Sequence, residues 1–148
     1  MKYQIDQSGK IEQTNKDTII GLANGKTYTV LLKRQIKRKL QVKFRRKGKP
    51  KLFVYRTFIA CVVLLIKHSD IKHLSNIIID REYSGLEKLL ADIFMEMAEK
   101  TLKKVPGVSF SNIGKKSNAH RISYLTTKGK IKPNRLLNLK EIEVLIFK

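Results

Sequence analysis

Four side chains in this sequence are placed where a phosphate or a metal ion could be handled: Asp6, Asp80, Glu82 and His120. Asp80 closes the apolar run Asn76-Ile77-Ile78-Ile79-Asp80. A carboxylate at that point is costly to bury unless a cation or a hydrogen-bond donor meets it. Hard divalent cations take oxygen ligands, so such a carboxylate is a candidate for one. Asp6, in Ile5-Asp6-Gln7-Ser8-Gly9, admits two readings: a metal ligand, or a turn residue whose side chain bonds the nearby backbone. Glu82 lies two residues past Asp80. It either adds an oxygen there or pairs with Arg81 or a lysine, and the surface pairing is the expectation. His120, in Ser117-Asn118-Ala119-His120-Arg121, is either functional or a structural imidazole turned to solvent. His68 and His73 flank a loop with no special spacing and are expected to be solvated.

The firmer signal is charge. Residues 33–51 hold eleven Lys and Arg among nineteen positions and no acid to compensate them: Lys33, Arg34, Lys37, Arg38, Lys39, Lys43, Arg45, Arg46, Lys47, Lys49 and Lys51. A solvated helix face is the plainer reading of a charge run, but this density predicts phosphate contacts, each releasing condensed counterions. Such contacts position a nucleic acid without reading its sequence. A second cluster, Lys115, Lys116, Arg121, Lys128, Lys130, Lys132 and Arg135, flanks His120. The whole chain sets 32 Lys and Arg against 12 Asp and Glu, a formal charge of +20. The expected partner is therefore nucleic acid, with acidic protein or acidic lipid as lesser alternatives. DNA, RNA and hybrid all fit, as does a homodimer. Aromatic residues make up 7% and Trp is absent, which favours duplex, hybrid or structured substrates over a stacking platform for single strands. Cys61 is the one cysteine, so neither an intrachain disulfide nor a cysteine-rich zinc site can form, and a reducing, cytoplasmic setting is expected. The first residues lack the apolar core of a signal peptide, and the longest apolar run, 58–66, is shorter than the roughly 20 residues of a membrane span.

These residues need a scaffold, and 148 residues with 42% hydrophobic content predict one domain, 1–148, able to bury a core. A weakly alternating start at 2–6 and two runs at 17–22 and 26–32 predict three strands. Asn24-Gly25 between the last two is expected to form a type I′ hairpin turn. Ile36, Leu40 and Phe44, four apart, predict a short helix with a cationic back within the basic segment 33–51. Residues 52–67, apolar nearly all round, predict a buried helix, and 76–80 a central strand. Ser84 and Glu87 suggest a capping box opening a helix that runs through Leu90, Ile93, Phe94 and Met97 and stops before Pro106-Gly107. A strand at 108–113 and a helix from Ser117 to about 127 follow. In the C-terminal helical extension 130–148, Asn138 is expected to cap a last helix from Leu139 to Phe147, with Glu141 completing its capping box.

Three antiparallel strands, a buried helix, and two further strands joined by helical crossovers make an α/β order in which the later strands run parallel. This order resembles the RNase H-like fold, a five-stranded mixed sheet flanked by helices, over the chain up to about residue 129. The opening Asp6-Gln7-Ser8-Gly9 is similar to the Asp-x-Ser-Gly start of an uncharacterised RNase H-like family. The resemblance implies one carboxylate on the first strand, Asp6, and one at the end of the fourth, Asp80, sharing Mg²⁺ or Mn²⁺. His120 matches the helix on which RuvC-type resolvases and their relatives carry acidic or histidine ligands, with Glu82 as a further oxygen. The implied activity is divalent-metal hydrolysis of phosphodiesters. The helix at 52–67 departs from the pattern, since it contains no Asp or Glu where RNase H supplies a glutamate. The alternative is a non-catalytic nucleic-acid-binding protein of the same fold.

Overall fold

A computed structural model describes residues 2–147, so the two end residues of the expected 1–148 domain and 130–148 extension lie outside the described residues. Among the described residues the order is β1 (Lys2–Ser8), β2 (Thr18–Asn24), β3 (Lys26–Leu32), α1 (Arg34–Arg46), α2 (Leu52–Ser69), β4 (Asn76–Asp80), α3 (Glu87–Thr101), β5 (Gly107–Ser111), α4 (Asn118–Thr127), β6 (Arg135–Leu136) and α5 (Leu139–Phe147). The strands form one mixed sheet in the order β5-β4-β1-β2-β3-β6. The antiparallel meander β1-β2-β3 is present, and β4 and β5 extend it in parallel on the β1 side. Beyond the five expected strands, β6 adds a sixth, parallel to the outer edge of β3. Two residues after Pro133 are too short to show a period, so no strand is legible ahead of the last helix, which spans Leu139–Phe147 as expected. Backbone bonds from Asn134 N to Thr29 O and Leu137 N to Leu31 O hold β6 in place.

Side chains alternate across the sheet, and the two faces meet different helices. Ile5, Ile20, Leu22, Val30, Leu32, Ile77 and Ile79 join the main core with α2. Eleven residues of α2 are buried, which explains its near-uniform apolarity. By length and composition alone this helix could cross a membrane; here its surface is covered by the sheet, α3 and α5. The opposite face of β1, β2 and β3 receives α4. Gly21, paired with Asp6 across the β1–β2 ladder, lies there. Helix α4 approaches so closely at Gly21 that a side-chain carbon would overlap Ser123 Oγ.

Two turn and cap expectations are corrected. The β2–β3 hairpin pairs Ala23 with Thr27 and Asn24 with Lys26, so it does not make the two-residue turn. Gly25 has φ +83°, while Asn24 keeps a negative φ, so a type I′ turn is not formed. Ser84 and Glu87 likewise form no capping box: Leu86 takes the cap position without a side-chain bond, and Glu87 pairs with Arg81 at 3.2 Å instead. The Asn138–Glu141 box does form, with reciprocal bonds of 2.7 and 2.9 Å, and Ser117 caps α4 by accepting from His120 N.

Candidate metal centre and nucleic-acid interface

The parallel register of β1 and β4 sets Ile5 against Ile79. Asp6 and Asp80 are the next residues on each strand, and alternation turns both to the face away from the main core. One oxygen each from Asp6, Asp80 and Glu82 lies within 4.8 Å of the others. Glu82 therefore joins the cluster; it also pairs with Lys10 at 3.7 Å, so both readings of this residue hold, with the lysine supplied by the β1–β2 loop. Arg81 is not its partner but that of Glu87. Asp80 Oδ1 accepts from Ile113 N at 3.0 Å, the donor its position demanded, and Asp6 Oδ1 accepts from Gln7 N at 2.9 Å.

His120 reaches the same group. Its Nδ1 lies 2.8 Å from Asp6 Oδ2, because α4 is seated by Ala119 and Ser123 against Gly21. With Nδ1 protonated the ring donates to the carboxylate, and Nε2 is left as its acceptor. A further chain lies next to the site in sequence: Gln7 Nε2 donates to Tyr83 Oη at 3.1 Å, and Tyr83 Oη donates to Glu12 Oε1 at 3.1 Å. Burial pushes the Asp6 carboxyl above its ordinary value, the His120 bond opposes this, and the neighbouring Asp80 charge reinforces it. Burial raises Glu82 too, against Lys10 and with help from Asp80 and Asp6. Three carboxylates with one lysine nearby are short of positive charge, and their all-oxygen donor set suits a hard divalent cation. The residues present therefore fit such an ion.

The basic residues divide by environment. Lys33, Arg38, Lys39, Arg45, Arg46, Lys49 and Lys51 are exposed, and among the described residues no acidic side chain pairs with them. Arg34 is paired with Asp17 at 3.4 Å, and its backbone N–H donates to the same Asp17 oxygen at 2.9 Å, so Asp17 is tied to the start of α1. Lys43 pairs with Glu143 of α5, and Lys47 lies 5.1 Å from the Phe147 ring centre. Lys37 does not reach the surface. It is fully buried, with Nζ donating to Lys10 O, Gln13 O and Thr18 Oγ1 at 3.2, 2.8 and 2.9 Å. It lies on the same helical stripe as Leu40 and Phe44, a position the count of cations could not distinguish. In the second cluster Lys115, Lys116 and Arg121 are exposed, whereas half-buried Arg135 pairs with Glu141 at 3.2 Å. Glu141 also bonds His68 at 2.9 Å, so His68 is a structural tie and not solvated; His73 is exposed.

Sequence reasoning missed Tyr83, Glu12, Gly21 and Tyr124. A glycine inside an apolar strand is a recognised sign of close approach, and Tyr124 follows His120 by one helical turn; both signals were available. The antiparallel meander, the two parallel strands beyond it and the acidic cluster are together compatible with an RNase H-like fold. No protein-family model, curated protein or solved structure matches the chain.

Proposed function

We propose that this chain is a divalent-metal-dependent nuclease of RNase H-like type, acting on duplex, hybrid or structured nucleic acid. The observation that carries the reading is the convergence of Asp6, Asp80 and Glu82 within a chain of net charge +20. An acidic cluster in so basic a protein is a local exception, and it stands beside cations able to hold a phosphate backbone. Asp6, Asp80 and Glu82 would hold Mg²⁺ or Mn²⁺. A cation bound there supplies Lewis-acid polarisation of a phosphoryl oxygen and lowers the pKa of a bound water. His120, its Nδ1 tied to Asp6, keeps Nε2 to take or return a proton. Lys115, Lys116 and Arg121, on and before α4, supply charge for the flanking phosphates.

The test is cleavage of end-labelled duplex DNA, four-way junction, RNA duplex and RNA–DNA hybrid in Mg²⁺ or Mn²⁺. The wild-type chain should cut at least one of them, and Asp6→Asn and Asp80→Asn should not, since Asn keeps the size but loses the charge. A wild-type chain that cuts none in either metal, while still binding them, would replace this reading with that of a non-catalytic binding protein.

A further inference from the structure

Along one flank of α4, His120 and Tyr124 stand at successive turns, and Lys128 follows one turn further on at the C-cap. At about 1.5 Å per residue the line is about 12 Å long, and it starts at the histidine bonded to Asp6. The His120 and Tyr124 rings are near-parallel, 12° apart with centroids 6.4 Å from one another, and Lys128 Nζ lies 5.5 Å from the Tyr124 centroid. Tyr124 is 49% exposed.

Tyr124 and Lys128 form one wall of a cleft of about 420 Å³; Gln13, Asn15 and Lys16 of the β1–β2 loop and Arg34 of α1 face them. Arg34 is occupied by Asp17, so Lys16 and Lys128 are the cleft's cations without an acidic partner among the described residues. At about 100° per residue, Arg38 and Arg45 fall within about 40° of Arg34 around α1. The exposed cationic side of α1 therefore begins at the cleft. A cleft of that volume has the size of a small-ligand pocket and not of a double helix. An aromatic side chain can cover a base only where the base is unstacked from its neighbours, as at a single-stranded end or bulge.

We propose that the cleft between α4 and the β1–β2 loop takes an unpaired nucleic-acid strand continuing from the acidic cluster, with a base stacked on Tyr124 and phosphates on Lys16 and Lys128. The favoured ligand is then a duplex bearing a single-stranded extension, its paired part lying along α1. The proposal rests on the nucleic-acid reading above but not on cleavage, so it is tested without divalent metal.

The experiment is fluorescence anisotropy at fixed salt with a blunt duplex and the same duplex carrying a 5′ or 3′ single-stranded extension, in DNA and RNA versions. The wild-type chain should bind an extended duplex more tightly than the blunt one. Tyr124→Ala should lose roughly tenfold in affinity for the extended form and little for the blunt one, while Tyr124→Phe keeps the preference. Lys128→Ala should flatten the salt dependence for the extended form only. Equal affinity of the wild-type chain for blunt and extended duplexes would overturn the proposal, as would a Tyr124→Ala loss that is the same for both. Failure to bind any of these would overturn the nucleic-acid reading with it, whereas binding without later cleavage would sink only the nuclease reading.

Discussion

Ser123 Oγ fills the space that a Cβ on Gly21 would need. That contact sets the distance between α4 and the sheet at the rung where Gly21 faces Asp6, and so sets the reach of His120. Ser123 bonds Ala119 O at 2.8 Å within its own helix, which limits how far it can yield; Ala119 O and the Ile122 methyl crowd the same point. Gly21→Ala should therefore lift α4 and cost about 1–3 kcal/mol, the usual effect of overpacking. Thermal melting should show a drop of about 2–4 °C for each kcal/mol of destabilisation. If α4 is what brings His120 to Asp6, cleavage should fall further than stability explains. An unchanged melting temperature would show that the helix gives way freely.

Metal binding can be read without catalysis. Burial and mutual repulsion raise Asp6 and Glu82, so a divalent cation should stabilise the folded chain by relieving both. Mn²⁺ at a hundredfold its dissociation constant would contribute about 2.7 kcal/mol, visible as a rise in melting temperature. Asp6→Asn and Asp80→Asn should abolish that rise. Glu82→Gln should shrink it, and should leave the metal-free protein at neutral pH no less stable, because a carboxyl raised by burial weakens the fold once it ionises. A rise of equal size in all three variants would place the ion elsewhere.

Much of this arrangement was legible in the residues, and the rest was hidden for identifiable reasons. The three-isoleucine run before Asp80 announced a buried strand ending in a carboxylate, and the crossovers made the later strands parallel. That β1 and β4 are neighbours, so that Asp6 and Asp80 approach each other, came from the resemblance to the RNase H-like order and not from the residues alone. Glu82 was ambiguous because its choice between the cluster and a lysine depends on where the β1–β2 loop brings Lys10. Lys37 was misread because composition weighs every cation alike, whereas its burial follows from sharing a stripe with Leu40 and Phe44. Strand β6 escaped because two residues have no periodicity; only its pairing with Val30 and Leu31 defines it.

The exposed cations of α1 should bind phosphate without reading bases. Arg38, Arg45 and Arg46 make the cleanest probe, since they are exposed and hold no other element in place, whereas Lys43 and Lys47 lean on α5. Replacing the three with Ala should weaken binding to all duplex sequences alike. The slope of log affinity against log salt should become shallower by about 2 to 3, at roughly 0.9 for each phosphate that is no longer neutralised. Circular dichroism should be unchanged. Loss of affinity for one sequence alone would reveal base reading and contradict the assignment.

Lys37 connects the basic helix to the loop that carries Lys10 and Glu12, and it does so with a buried ammonium that meets three oxygens but no carboxylate. Burial lowers its pKa from 10.5 to about 8, only partly offset by Asp17. Between those values the unfolded chain binds more protons at this position than the folded chain does, so the contribution of Lys37 to stability rises with pH across that window. Below about pH 8 both states are charged and the penalty for burying the charge is felt in full; above about pH 10.5 both are neutral and it has vanished. Lys37→Met keeps the length and removes the titration. It also strips three acceptors of their donor, at about 1–3 kcal/mol, and should loosen residues 10–16 to proteolysis. The informative quantity is the difference in unfolding free energy between wild type and Lys37→Met, from denaturant melts at pH 7.5 and pH 10. It should move in favour of the wild type at the higher pH, while the rest of the charge balance cancels between the two proteins. A difference that stays constant would mean that Lys37 titrates as an ordinary surface lysine, and its place in the core would have to be abandoned.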